Sequence, residues 1–236
     1  GGGMDVVVGN VENRSDRRRA WWWINPSLAL LVLAGSYGLD ARMADAADHP
    51  FLVVRRADYT DRRARAGSQP WSKIVEEAAG SCALSTNLSS LSLGDKARRI
   101  RDLAGGCGVL SIVDPDRQAQ YRSKIVTALG YWPAYLAELQ SAYAANGGRL
   151  EWLTEVPPSS AFFSSVIALD VLYEDLTPVE RSTIENNLDE VAEWYWGIKY
   201  LPHAIAIYGL RAIWAVYQND QARLSQALSD YRDALF

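Results

Sequence analysis

His203 is one of the two histidines of this chain, and an imidazole can take part in acid–base chemistry near neutral pH. It follows Pro202 at the start of an apolar stretch that extends to Tyr217. A helix that begins there would direct its N-terminal amides, with their partial positive charge, toward an anionic group. This position makes His203 a candidate to contact an anionic ligand, and its catalytic role is what the family resemblance described below implies. A capping or packing role is the alternative that the sequence leaves open.

Aromatic side chains and one arginine flank this histidine and could bind a ligand. Tryptophan and tyrosine combine a large apolar face with a polar group, which suits sugar rings as well as helix packing. Arg211 lies on an otherwise apolar helix and needs a carboxylate, water or an anionic ligand. The predicted binding residues are Trp194, Trp196, Tyr200, Tyr208 and Arg211. Core packing of the rings and an internal ion pair of the arginine are the alternatives.

Cys82 and Cys107 are the only cysteines of the chain. In an oxidising compartment they would form a disulfide that closes a loop of about 25 residues and contributes roughly 3 kcal/mol.

Two cysteines and two distant histidines, His49 and His203, lack the spacing of metal ligands. Nor does the chain contain a Walker loop, a GxSxG or HExxH motif, or a dinucleotide fingerprint. We expect neither a metal nor a cofactor.

The composition fits one globular domain and argues against a nucleic-acid partner. Of the 236 residues, 49% are hydrophobic, which is enough apolar material for a core. The formal net charge of −4 lacks the clustered basic excess of nucleic-acid-binding proteins. A locally basic cleft for an acidic polymer stays compatible with this charge.

Residues 1–46 have the pattern of an export or membrane-anchoring segment. Gly1-Gly2-Gly3 is set aside as a cloning remnant or part of an open reading frame. A basic cluster at 14–19 precedes an uncharged run at 20–39 and small residues around Ala46. A cleaved signal peptide, an uncleaved anchor through 20–39 and a buried core helix are the three interpretations. The first two export the remaining domain, residues 47–236, as a secreted or periplasmic protein, with membrane contact through 20–39 only.

The exported part is predicted to be all-α, because apolar residues recur at helical spacing and no strand pattern is present. The clearest helix start is Thr177-Pro178-Val179-Glu180, in which a capping threonine and glutamate flank a proline at the first helical position. The expected helices are Pro70 to Gly80, 88–104 ending at Gly105-Gly106, Asp114 to Ala145 with a break at Pro133, 159–174 after Pro157-Pro158, 178–196, 202–217 and 221–235.

The last four helices repeat one pattern. An apolar helix at 159–174 precedes a charged helix at 178–196, and the same order recurs at 202–217 and 221–235. A period of about 43 residues is typical of stacked helical hairpins with one buried and one solvent-facing helix, in an open solenoid or a closed toroid.

Residues 49–54 (His-Pro-Phe-Leu-Val-Val), the arginine-rich segment after them and Pro70-Trp71 resemble the start of exported polysaccharide lyases of the heparinase II/III and alginate lyase type. Residues 168–181 and Pro202-His203 are similar to the incomplete α/α toroid of that family. The resemblance covers about residues 49–236. It implies binding of an acidic, uronate-containing polysaccharide and its cleavage by β-elimination, with His203 in a catalytic role. The family's later β-sandwich and tyrosine acid have no match here, so we expect little or no activity from this chain alone.

Two other functions stay open. An α/α-barrel glycoside hydrolase needs two carboxylates across a cleft. Asp170 and Glu174 share one helix face, and for them we expect a solvated or capping role. The third candidate is a non-catalytic exported helical-repeat domain that binds a glycan or a protein.

Overall fold

The computed structural model describes His49, residues 52–198 and residues 204–235, and every regular element within these ranges is helical. The helices are α1 (Tyr59–Arg65), α2 (Trp71–Cys82), α3 (Leu93–Val113), α4 (Gln118–Leu129), α5 (Trp132–Ala145), α6 (Trp152–Leu172), α7 (Pro178–Gly197), α8 (Ala204–Tyr217) and α9 (Gln221–Leu235). Short 3-10 turns precede α1 (Arg56–Asp58) and α4 (Pro115–Arg117). The all-α prediction is confirmed for this part of the chain.

The predicted export segment and its boundary at residue 46 lie outside the described residues. None of the helices in the described ranges combines the length and the apolar character that a bilayer crossing requires.

Helices α3, α6 and α8 form the buried middle layer of the fold. α3 packs along α6, and α6 packs along α8. α2 and α4 cover α3 from outside, whereas α9 covers α8. Phe162, Val166 and Leu169 on α6 are fully buried, as are Ile207 on α8 and Ile100 on α3. The hairpins α6–α7 and α8–α9 therefore each combine an apolar inner helix with an amphipathic outer one, as the repeated sequence pattern predicted.

The start of α7 confirms the predicted capping box. The Thr177 hydroxyl accepts a hydrogen bond from the Glu180 amide (3.2 Å), and the Glu180 carboxylate accepts one from the Thr177 amide (2.8 Å). Pro178 occupies the first helical position, where a missing amide hydrogen costs no helical bond. The break predicted at Pro133 is also present, since α4 ends at Leu129 and α5 begins at Trp132.

The start predicted for α6 was wrong. The helix begins at Trp152, before the two prolines, and contains both of them. Pro158 has no amide hydrogen to donate to the carbonyl of Thr154, four residues earlier. The hydroxyl of Tyr195 on α7 donates to that carbonyl instead, at 2.5 Å. A side chain from the next helix thus satisfies the oxygen that the proline leaves without its helical partner.

The end predicted for α3 was also wrong, because the helix continues through Gly105 and Gly106 to Val113. Gly106 lies where α2 packs against α3, and a Cβ atom there would be 2.7 Å from the carbonyl oxygen of Ala78. One residue further on, Cys107 forms a disulfide with Cys82 at the end of α2. The glycine therefore permits close packing of two helices and does not terminate one.

Candidate functional site

A cavity of about 570 Å³ opens between the two C-terminal hairpins and the segment that precedes α1. One wall comes from α7, and the opposite wall comes from the C-terminal end of α8 and the turn before α9. We call it the hairpin pocket. Its lining residues are His49, Tyr173, Glu185, Asn186, Asp189, Trp214, Tyr217, Gln218 and Asp220.

His49 is a buried wall residue of the hairpin pocket, and Asp170 fixes its position. The Nδ1 atom of His49 and the Oδ1 atom of Asp170 are 2.6 Å apart, and both residues are buried. The second oxygen of Asp170 accepts a hydrogen bond from the Leu52 amide (2.9 Å). One carboxylate of α6 therefore holds the chain before α1 in place.

This burial corrects the solvated or capping role that was expected for Asp170. The side chain is 1% exposed, and a carboxylate at such a position needs partners to offset its lost hydration. Glu174, the other carboxylate of the pair, is half exposed and lies 3.3 Å from Arg56 in a surface ion pair. The two groups do not face each other across a cleft, which removes the hydrolase arrangement considered for them.

The aromatic residues give the hairpin pocket apolar walls without an open stacking face. The ring of His49 stacks on Tyr173 with centroids 3.9 Å apart, and the Arg181 guanidinium lies 4.1 Å from the same tyrosine centroid. Two groups this close cannot share one face, so both faces of Tyr173 are covered. Trp214 and Tyr217 stack on each other at 5.2 Å and are buried. A ligand would meet the edges of these rings.

Two carboxylates of α7 face neutral donors in the hairpin pocket. The Tyr217 hydroxyl donates to Glu185 (2.8 Å), while the indole of Trp214 (3.0 Å) and the amide of Gln218 (3.1 Å) donate to Asp189. Burial, and then the bond to Glu185, raise the pKa of Tyr217, so its phenol stays a donor. No basic side chain of the described residues forms an ion pair with Glu185 or Asp189.

Three carboxylates, and no lysine or arginine, are among the residues that line the hairpin pocket. Its third carboxylate, Asp220, pairs with Arg223 at 3.6 Å, whereas Glu185 and Asp189 have no direct ion pair with a described residue. Arg181, on the ring of Tyr173, is a further cation at the wall. Ionised carboxylates only accept hydrogen bonds, so they select ligands with hydroxyl or ammonium donors. Within the described ranges, no group of three histidine, cysteine or acidic side chains could hold a metal ion.

Arg211, predicted to bind a ligand, caps the C-terminal end of α7. Its side chain is buried and donates to the carbonyl oxygens of Tyr195 (2.7 Å), Trp196 (3.3 Å) and Ile198 (3.3 Å). It also lies 3.4 Å from Asp230 on α9. Burial lowers the pKa of Arg211, and Asp230 opposes that shift. The last carbonyls of a helix lack helical partners, and this guanidinium supplies donors for them.

The predicted aromatic residues fall into two places. Trp196 and Tyr208 lie against Arg211, with the guanidinium carbon 5.2 Å and 5.4 Å from their ring centroids. Trp194 packs on Tyr195 with centroids 4.6 Å apart. Trp194, Trp196, Tyr208 and Arg211 do not line the hairpin pocket, and their ligand-binding roles stay predictions.

His203 and Tyr200 lie outside the described residues, so the catalytic role of His203 also stays a prediction. Sequence reasoning did not select the residues of the hairpin pocket. Asp170 offered the best indication, because a carboxylate on an apolar inner helix needs a buried partner. His49 is that partner, although nothing in the local sequence relates the two.

Fold and site together define an all-α protein with an acidic pocket between successive helical hairpins. No family model, no curated protein and no solved structure matches the chain.

Proposed function

We propose that this chain is an exported helical domain that binds a carbohydrate in the hairpin pocket. The observation that carries the proposal is the combination of Glu185 and Asp189 with the buried Trp214 and Tyr217 around a cavity of about 570 Å³. Sites for small ligands typically measure about 300–1,000 Å³ and combine apolar walls with a few placed polar groups. Sugars supply hydroxyl donors for the carboxylates and apolar C–H groups for the ring edges.

The charge of the hairpin pocket favours a neutral or amine-bearing sugar over a uronate. Glu185 and Asp189 would repel a ligand carboxylate, and like charges brought together in an interface cost several kcal/mol. An ammonium group would instead find two acceptors of opposite charge. This proposal differs from the acidic polysaccharide implied by the sequence resemblance, which would have to bind at another place on the chain.

The second candidate is the toroid part of a polysaccharide lyase. It is supported by the two stacked hairpins, in which α6 and α8 form neighbouring inner helices as an incomplete α/α toroid requires. The described part of α8 begins at Ala204, directly after His203 in the sequence. In this candidate His203 exchanges a proton with the sugar during β-elimination.

Isothermal titration with three oligosaccharides of equal length tests the first proposal: a neutral N-acetylglucosamine oligomer, its deacetylated glucosamine counterpart and an oligo-uronate. We expect binding of the neutral or the amine-bearing oligomer. Glu185→Gln and Asp189→Asn should each weaken it roughly 30-fold, since a hydrogen bond to a charged group contributes about 2 kcal/mol. Glu190→Gln is the matched control, because this exposed residue of α7 lies outside the pocket.

Equal affinities of wild type, Glu185→Gln, Asp189→Asn and Glu190→Gln would refute the pocket as the binding site. Binding of the oligo-uronate alone, with the absorbance of an unsaturated product that His203→Ala abolishes, would favour the lyase candidate instead.

A further inference from the structure

The loop between α2 and α3 contains the tripeptide Asn87-Leu88-Ser89. Asparagine followed two positions later by serine or threonine, with any residue except proline between them, is the acceptor sequence for N-linked glycans. The chain has one other such tripeptide, Asn13-Arg14-Ser15, which lies outside the described residues. The loop sequence therefore has the chemistry of a modification site.

The loop presents this tripeptide to solvent in a fixed orientation. Leu88 is fully buried in the core, while Asn87 and Ser89 on either side of it are exposed. A buried residue between two exposed ones anchors the loop and directs both polar side chains outward. The neighbouring Ser85 and Ser90 are also exposed, so small polar residues surround the acceptor.

Asn87 and Ser89 already contact each other through the groups that the acceptor sequence requires. The side-chain oxygen of Asn87 accepts hydrogen bonds from the hydroxyl of Ser89 (2.7 Å) and from its amide (3.1 Å). This is an Asx turn, in which the asparagine side chain stands in for a backbone carbonyl. The turn places the hydroxyl beside the carboxamide, so the serine is positioned to polarise it.

The nitrogen of the Asn87 carboxamide is available for substitution. The hydrogen bonds of this side chain to described residues all use its oxygen, and none uses Nδ2. A glycan on Nδ2 would therefore break no hydrogen bond of the described fold. It would project from an exposed loop, where a bulky hydrophilic group is compatible with the folded chain.

We propose that Asn87 is an N-glycosylation site whose glycosyl donor is a lipid-linked oligosaccharide diphosphate. In the transfer, Nδ2 forms a bond to C1 of the first sugar and loses a proton. The bond from C1 to the diphosphate oxygen breaks, and the lipid diphosphate leaves with the electron pair. The step requires entry into a secretory compartment, so it rests on the predicted export. Cys82, five residues before Asn87, forms a disulfide with Cys107, which is consistent with an oxidising compartment.

The full chain should be expressed behind the signal peptide of a eukaryotic secretory host, and the secreted protein analysed by intact mass and glycopeptide mapping. We expect an oligosaccharide on the peptide that contains Asn87, sensitive to peptide N-glycosidase. Asn87→Gln and Ser89→Ala should each abolish this modification. Ser90→Ala, a neighbouring exposed serine outside the tripeptide, should leave it unchanged.

An unmodified Asn87 peptide from secreted, disulfide-linked protein would overturn the proposal. A glycan found only on another asparagine, with the Asn87 peptide of wild type unmodified, would overturn it equally. Asn87→Gln and Ser89→Ala both change exposed loop residues, so their secretion and thermal unfolding should match wild type and show that a lost glycan does not reflect misfolding.

Discussion

Replacing Arg211 with methionine should destabilise the protein severely, because this guanidinium joins the end of α7 to α8. It donates to three backbone carbonyls, at 2.7, 3.3 and 3.3 Å. A buried polar group left without a partner costs about 1–3 kcal/mol. Trp196 is half-buried, so its carbonyl can recover a bond to water, whereas those of the buried Tyr195 and Ile198 have less access to solvent. We expect Arg211→Met to lower the free energy of unfolding by about 4 kcal/mol.

Urea denaturation followed by tryptophan fluorescence and far-ultraviolet circular dichroism measures this loss as a shift in midpoint at constant slope. Two controls separate the cap from its surroundings. Asp230→Asn removes only a partly exposed ion pair and should cost about 1 kcal/mol or less. Arg223→Met removes the arginine that lies 5.4 Å from the ring of Trp196, together with its partly exposed ion pairs to Glu193 and Asp220, and should also cost about 1 kcal/mol or less.

A loss below about 1 kcal/mol for Arg211→Met, or a loss no larger than that of Arg223→Met, would refute the capping role. Unchanged stability together with lost ligand binding would instead support the ligand contact that the sequence predicted for Arg211.

Two further variants test how the helices pack and start. Gly106→Ala should lower the melting temperature by roughly 5 °C or more, because its Cβ would lie 2.7 Å from a backbone oxygen of α2. Gly105→Ala is the matched control and should stay near wild type, since its Cβ would meet nothing closer than 3.9 Å. The hydroxyl and amide of Thr177, with Arg122, lower the pKa of Glu180 from 4.5 to about 2. A lowered folded-state pKa stabilises the fold above the unfolded value and loses that effect as pH falls through the folded value. As the pH is lowered from 7 to 2, the urea midpoint of unfolding should therefore fall less steeply for Glu180→Gln than for wild type.

Local sequence signals predicted the helices whose ends are determined locally. Thr177, Pro178 and Glu180 lie within four residues and satisfy the first turn of α7 among themselves, so neighbouring residue types suffice to place the start. The apolar character of α8 likewise predicted a buried inner helix, because a helix that is hydrophobic on most sides has to be covered by others.

Helix ends that depend on distant contacts could not be predicted in this way. Pro158 is tolerated inside α6 because Tyr195 approaches the freed carbonyl from α7. Gly106 lies inside α3 because α2 packs closely at that point, where only a residue without a side chain fits. In both cases the residue type alone indicates an interruption, and only the neighbouring helix shows why the helix continues.

The hairpin pocket was beyond the reach of sequence patterns for the same reason. His49 and Asp170 are separated by 121 residues, and Glu185 meets Tyr217 across two different hairpins. The spacing of residues along one helix carries no information about such pairs. The sequence predicted ligand binding for Trp196, Tyr208 and Arg211, and in the structure these three side chains pack together at the junction of α7 and α8.

The two oxygens of Asp170 have a consequence for measurement. One contacts His49 in the wall of the hairpin pocket, and the other accepts the hydrogen of the Leu52 amide. A ligand that contacts the His49 ring would slow exchange of the Leu52 amide hydrogen with solvent. Exchange requires local unfolding of the segment before α1, and this unfolding would also break the contact between His49 and the ligand. A single backbone amide ahead of the first helix would then report occupancy without any label in the pocket itself.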